Sequence, residues 1–376
     1  MKVTKYLYGV ALGALSLTMA SCYNADKEFP DYDGGTTAYF AYQYPVRTLI
    51  LGNDIYDNSL DNAHKCQIWS TMGGAYNGRN AIVQIAVDNS LCDNLYFVDE
   101  GGNPDHAVLP MPENYYKLNS LSIPYNGDVR GNVEVQFTDA FFQDEKATEN
   151  TYVIPLVMKG VTGIDKILTG KAREGVTPSR VNPSDWEILP KDYILYCVKY
   201  MNPWQARYIR RGVDKVTESN VTNEVIRKDF SLVNSDPTRY KENPVNANDE
   251  VCFISTKSMT ESIFNVSFKR AGGNAAVSLD LLLKFDGNKC TITAADPEVA
   301  EVTGSGEFIT KGTEQAAYKD YQWGSNNGQP VQRDILRLAY DVKFKKNDIR
   351  VSTADTLVVQ TRESNKKVFF SPAYVK

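Results

Sequence analysis

The tightest constraint on the fold of this chain is a pair of alternating runs in its second half. Val277, Leu279, Leu281, Leu283 and Phe285 are interleaved with Ser278, Asp280 and Lys284, and Leu336, Leu338, Tyr340, Val342 and Phe344 with Arg337, Asp341, Lys343 and Lys345. Successive side chains of a β-strand point to opposite faces, so a period of two yields one buried and one wetted face. A helix would scatter the same residues around its axis. Residues 251–256, 264–268, 290–294, 299–303, 307–310 and 356–361 add strand character, and Asp286-Gly287-Asn288 and Gly304-Ser305-Gly306 read as hairpin turns. A meander of about eight such strands would expose two edges if it stayed open. It is therefore expected to close into a small antiparallel barrel of lipocalin type or to form a sandwich, the barrel being preferred.

The first half is also β-rich, with its clearest strands at 36–51, 81–87, 133–137 and 152–158. Val133, Val135 and Phe137 share one face. No amphipathic helix separates these strands, which argues for an antiparallel sandwich over residues 36–160 rather than a βαβ sheet. Residues 161–191 hold Pro178, Pro183 and Pro190 and a mixed-charge stretch, and read as a connection. Strand character returns at 192–201, with Ile194, Tyr196, Val198 and Tyr200 on one side; this strand closes the first domain or opens the second, taken as 192–376. The chain is thus expected to be all-β with two domains, in keeping with about 150 residues per domain.

The first residues carry an export signal. Lys2 and Lys5 precede an apolar run from Tyr6 to Met19, too short to span a bilayer core, which takes roughly 20 residues. Met19-Ala20-Ser21-Cys22 resembles the bacterial lipobox, which implies cleavage of 1–21 and acylation of Cys22, the lipid attachment site. Residues 22–35 include Asp26, Glu28, Asp31 and Asp33 and are too polar to bury anything, so they are expected to act as a tether. An acidic stretch at this place resembles the signal of Bacteroidota lipoproteins bound for the outer face of the outer membrane. A lipid-anchored protein facing the exterior is the expected localisation.

Charge and motif searches exclude several chemistries. The formal net charge of −5 supplies no basic field for phosphates, so nucleic acid is not an expected partner. Besides Cys22 the cysteines are Cys66, Cys92, Cys197, Cys252 and Cys290. Cys66 with Cys92 and Cys252 with Cys290 could bridge, but the separations form no disulfide framework, and buried small hydrophobes are the preferred role. His64 and His106 stand alone, without metal-ligand spacing. No nucleophile elbow, phosphate loop or dinucleotide fingerprint is present. The acidic turn from Asp99 to Asp105 lacks the spacing of a calcium loop and reads as solvated. No enzyme, catalytic residue, metal or cofactor is expected.

Taken in order, several short motifs resemble a widespread architecture of Bacteroidota surface lipoproteins: an immunoglobulin-like N-terminal domain followed by a second uncharacterised β-rich domain. They are Thr37-Ala38-Tyr39-Phe40, Asn77-Gly78-Arg79-Asn80-Ala81, Tyr115-Tyr116-Lys117-Leu118 and Tyr152-Val153-Ile154-Pro155-Leu156 in the first half. In the second they are Thr303-Gly304-Ser305-Gly306-Glu307-Phe308, Trp323-Gly324, the strand from Leu336 to Val342 and Asp355-Thr356-Leu357-Val358-Val359. The resemblance implies a role in glycan utilisation, beside an outer-membrane transporter pair. A related N-terminal domain also precedes chitinase-like glycosidases, but their Asp-x-x-Asp-x-Asp-x-Glu motif is absent here. Asp355-Thr356-Leu357 resembles an O-glycosylation acceptor as well, although a plain strand start is preferred.

Sugar binding needs an aromatic face for C–H groups, ringed by amides, acids and Arg for hydroxyls. Trp69 and Tyr76, in the loop-like segment 67–77, and Tyr321 and Trp323, in segment 318–327, are the candidate carbohydrate-binding residues. Trp186 and Trp204 read as packing residues, with Asn202-Pro203-Trp204 a turn that seats the ring. A glycan-capturing surface protein is the first reading. A structural or adhesin-like protein is the alternative, and a hydrolase the third.

Overall fold

The computed structural model describes residues 30–226, 250–271, 275–311, 319–326, 329–364 and 368–376. The expected signal peptide, Cys22 and the first part of the tether lie outside these residues. For Lys319–Asn326 and Gln329–Gln332 only the backbone is described.

The alternating runs of the second half form a closed antiparallel barrel. Its eight strands are Ala206–Glu218, Glu250–Thr256, Glu261–Lys269, Ala276–Asp286, Lys289–Ala294, Ala300–Ile309, Ile335–Phe344 and Ile349–Thr361, each paired with the next, and the last pairs back onto the first. Closure removes the exposed edges that an open meander would keep. The inward faces fill the interior with Tyr208, Phe264, Phe268, Leu281, Leu283, Phe285, Leu338 and Tyr340. Trp204 plugs it, stacked on Phe285 with ring centroids 3.7 Å apart and 5° between planes.

Gly304-Ser305-Gly306, expected to turn a hairpin, lies instead in the middle of the Ala300–Ile309 strand. Both glycines face inward opposite large partners: Gly304 pairs with Tyr340 and Gly306 with Leu338. A Cβ on Gly304 would stand 2.4 Å from the Tyr340 Cβ, and one on Gly306 2.5 Å from Leu338 Cδ2. Glycine in a strand interior often marks such close approach.

The first half forms a sandwich with an added layer. One sheet has the order Lys166–Ile167, Thr37–Tyr39, Lys65–Gly73, Arg130–Phe137, Tyr116–Leu118. The other runs Val368–Phe369, Pro45–Ile50, Tyr193–Met201, Tyr152–Thr162, Ile82–Val87, Ser122–Pro124. Ala38, Ile68, Val133 and Val135 meet Leu49, Val83, Ile154, Leu156, Ile194 and Val198 between them. The far side of the second sheet is covered too, by Leu91, Leu95, Phe97, Val108 and Phe370 packed on Val153, Leu195 and Cys197. This double burial explains why the chain from Tyr152 to Met158 is buried at every residue and shows no alternation.

Pairing also redraws two expectations. The 36–51 segment is two strands in different sheets, Thr37–Tyr39 and Pro45–Ile50. Tyr193–Met201, read with the second half, lies inside the first domain between Tyr152–Thr162 and a parallel Pro45–Ile50. Part of the connection read at 161–191 joins that domain as well, since Lys166–Ile167 pairs parallel with Thr37–Tyr39. The chain end returns from the barrel, with Val368–Phe369 and Pro372–Tyr374 pairing onto first-domain strands. Local periodicity records which face of a strand is wet, not which strand lies beside it.

Among the described residues all five cysteines are free, Cys252 partly buried and the others buried. Burial pushes the thiols of Cys66, Cys197 and Cys290 up to about 12, the range of an unreactive packing residue.

Candidate functional site

The outward face of the first sheet carries an exposed indole ringed by polar side chains. Lys65–Gly73 alternates so that Cys66, Ile68, Ser70 and Met72 are buried and Gln67, Trp69 and Thr71 point out. Trp69 therefore stands in the middle of a strand, not in the loop expected for it, and keeps 42% of its surface exposed. On the neighbouring strand, buried Val133 and Val135 leave Arg130, Asn132 and Glu134 on the same outer face. Register puts Asn132 directly opposite Trp69, Glu134 opposite Gln67 and Arg130 opposite Thr71. The Arg130 guanidinium carbon lies 4.9 Å from the Trp69 ring centroid, a cation–π distance. Lys65 Nζ donates to Glu134 Oε1 at 2.8 Å and holds that carboxylate in place. The result is one indole bordered by two amides, a carboxylate, a hydroxyl and a guanidinium, on a rigid sheet.

Tyr76 sits beyond the end of this strand, in the turn after Gly73, and is 57% exposed. Gly73 lies four positions beyond Trp69, about 13 Å along the strand, so Trp69 and Tyr76 are too far apart to form one aromatic platform. The Tyr76 backbone N–H donates to Asp31 Oδ1 at 3.1 Å, Asp31 ion-pairs with Arg79, and Tyr32 N–H donates to Gly74 O at 2.8 Å. The last residues of the acidic tether are thus pinned beside Tyr76 rather than free. Tyr321 and Trp323 fall on the hairpin strand Lys319–Asn326. Asp320 pairs with Val331 and Ser325 with Pro330, so residues 321–324 bulge from the ladder. Their side chains lie outside the described residues.

The remaining candidates resolve into structure. Trp204 is buried, and its backbone N–H and that of Gln205 donate to Asn202 Oδ1, so the turn does seat the residue. Trp186 Nε1 donates to Ser179 O at 2.7 Å. His64 packs on Phe142 at 4.1 Å between centroids. His106 stacks on Phe97 and bridges Asp105 Oδ2 at 2.8 Å and Asn150 O at 2.7 Å. Asp99 Oδ1 accepts from Asn103 N–H at 2.8 Å, which satisfies the acidic turn internally. Among the described residues no group of three His, Cys, Asp or Glu could hold a metal ion.

Asp355, in the segment resembling a glycosylation acceptor, is sealed inside the barrel in mid-strand. Its Oδ2 accepts from Arg210 Nε at 2.8 Å and from Tyr340 Oη at 3.0 Å, while Arg210 Nη2 reaches Asp214 Oδ1 and Nη1 reaches Glu250 Oε1, each at 2.8 Å. Burial disfavours the Arg210 charge, but Asp355, Tyr340, Asp214 and Glu250 together outweigh it and hold the guanidinium protonated.

A Bacteroides ovatus protein of unknown function, whose crystal structure was determined at 2.40 Å, is 38% identical. The match covers 92% of this chain and 100% of that one, with a TM-score of 0.77. This chain belongs to the same family. Residues 203–363 match a domain of unknown function, DUF5627, and residues 32–165 match a domain described as a “-like, N-terminal domain”. An auxiliary nutrient binding protein from Bacteroides thetaiotaomicron matches at 12% identity over 84% of this chain and 90% of that one. Its TM-score of 0.35 leaves it without weight for fold or ligand. No curated protein matches.

The flanking residues Arg130, Asn132 and Glu134 were missed by sequence reasoning. Their alternation was visible, but their proximity to Trp69 is a matter of cross-strand register between residues some sixty positions apart.

Proposed function

We propose that this protein is a non-catalytic surface lipoprotein, anchored through Cys22 to the outer membrane, that holds a glycan for a polysaccharide-utilisation system and its transporter pair. The observation that carries the reading is the exposed Trp69 in the centre of the outer sheet face, with Asn132 opposite it and Arg130 over its ring. An indole on a rigid strand presents a flat apolar face at little entropic cost, and the amides and Glu134 beside it suit equatorial hydroxyls. Tyr76, Tyr321 and Trp323 are further contacts in this proposal.

Affinity gels cast with a panel of plant and host polysaccharides test it. Retention by at least one is expected, weakened about tenfold or more by Trp69→Ala, while the melting temperature changes little because an exposed side chain is removed. Silence on every glycan, or retention indifferent to Trp69→Ala, would sink the glycan platform. Release of reducing ends would make the protein an enzyme. Mass spectrometry of the mature amino terminus tests acylation of Cys22.

One observation favours the second reading, a structural or adhesin-like contact. Tyr42 and Phe369, the latter on the outermost strand of the second sheet, are both about half exposed and pack in a tilted pair with centroids 4.9 Å apart. Loss of cell-surface assembly in Phe369→Ser, with glycan retention unchanged, would support it.

A further inference from the structure

The junction between sandwich and barrel forms an open cavity of about 280 Å³, lined by charged and amide side chains among apolar surface. One wall is the loop after Pro45–Ile50, another the end of the last barrel strand, and a third is formed by Lys311 and Arg333, which flank in sequence the hairpin bearing Tyr321 and Trp323. Domain junctions are favoured places for small ligands, and this volume is at the lower end of ligand sites, enough for one sugar ring and not for a chain.

Arg362 stands in this cavity and ties the two domains together. Its Nη1 donates to Leu51 O at 2.8 Å and Asn53 O at 2.9 Å, its Nη2 to Asn202 O at 2.7 Å and its Nε to Gln205 O at 3.2 Å. Four of its five N–H groups thus meet neutral carbonyls, and among the described residues no carboxylate forms an ion pair with it. Burial pulls its pKa below the ordinary value, an effect that Tyr208, Asp54 and Asp334 offset only in part. This differs from Arg210, whose guanidinium is matched by three carboxylates. A half-buried cation whose direct partners are neutral carbonyls, and whose desolvation two nearby acids offset only in part, favours the arrival of an anion.

The two acids in the cavity are already placed for a different task. Asp54 Oδ1 accepts from Tyr56 N–H at 3.1 Å and Ser364 Oγ at 2.8 Å, and Asp334 Oδ1 accepts from Lys311 N–H at 2.6 Å. Each leaves Oδ2 without a hydrogen bond among the described residues, an acceptor for a hydroxyl. We infer that this cavity binds a single carboxylate-bearing sugar, its carboxylate on Arg362 and Lys311 and its hydroxyls on Asp54 and Asp334. The site is separate from the Trp69 face and does not depend on it.

The test is thermal shift and titration calorimetry of the full chain in detergent, with glucuronate, glucose, acetate and inorganic phosphate as probes. Glucuronate is expected to bind saturably and raise the melting temperature, and the other three at equal concentration are not. Lys311→Glu, at an exposed position, should keep the fold and weaken glucuronate about tenfold, the scale of one charged hydrogen bond. Trp69→Ala should leave glucuronate binding unchanged, so that loss of the glycan platform and loss of this site are told apart. Absence of saturable glucuronate binding, or equal binding by Lys311→Glu, overturns the inference; equal binding of acetate or phosphate reduces the site to a general anion hole and overturns its sugar specificity.

Discussion

The two domains hide polar groups in opposite places. In the sandwich, Tyr152–Met158 and most of Tyr193–Met201 are buried on both faces because a layer lies on each side, and the polar side chains of the first sheet stand on its outer face around Trp69. The barrel has a single interior lined by one face of every strand, and into it the chain has put Arg210, Asp214, Asp355 and Thr353. Its interior is also filled by aromatic rings, leaving the lipocalin-like architecture without the usual use of its lumen. A closed barrel does not by itself imply a ligand inside it. The more promising surfaces here are a sheet face of the sandwich and the seam between the domains.

Removing the barrel's buried cation breaks the comparison most severely. Arg210→Ala should destabilise the protein by about 3–5 kcal/mol, since Asp214, Asp355 and Glu250 lose the charge they share. Denaturant unfolding measures this; a change under 1 kcal/mol would show that the cluster does not hold the barrel together. Packing comes next. Gly304→Val should cost about 1–3 kcal/mol or more, because the new Cβ meets Tyr340 within the interior. The same denaturant series on Gly160→Val, where nothing lies within 4 Å and the backbone is outside the left-handed region, separates crowding from the mere loss of a glycine.

The smallest effect concerns pH and falls on the sandwich. The carbonyl of Asn150 accepting from His106, aided by Asp105, raises the imidazole pKa above its ordinary value against a smaller opposing effect of desolvation. A raised folded pKa contributes stability that is complete below the unfolded value near 6.5 and is lost as pH climbs through the folded value. Melting temperatures of the native chain relative to His106→Gln should therefore favour the native chain at low pH, and the gap should shrink as pH rises above about 6.5. A gap that widens with pH would contradict the assigned partners. The Arg210 cluster, with a guanidinium held protonated, should give no such response in that window.

Much of the barrel was legible before any coordinates. Alternation from Val277 to Phe285 and from Leu336 to Phe344 named the inward residues, and Leu281, Leu283, Leu338 and Tyr340 are all in the barrel core. Gly304 and Gly306 misled, because glycine is common both in turns and at close strand approaches and only the residue opposite distinguishes them. In the sandwich, Ile194, Val198 and Tyr200 were placed correctly on one side of their strand, while the strand itself was given to the neighbouring domain.

The same division holds for function. Trp69 was picked from its residue type and its polar surroundings, both local properties of the chain. Its exposure on a strand, and Arg130 and Asn132 beside it, followed only from pairing with a segment some sixty residues away. The seam cavity was invisible for a stronger reason: Arg362 reaches Leu51 and Asn53 across more than three hundred residues. Period and composition are written along the chain and determine which faces are dry, whereas register, closure and the meeting of domains depend on long-range contacts whose loop-closure cost the whole fold must offset.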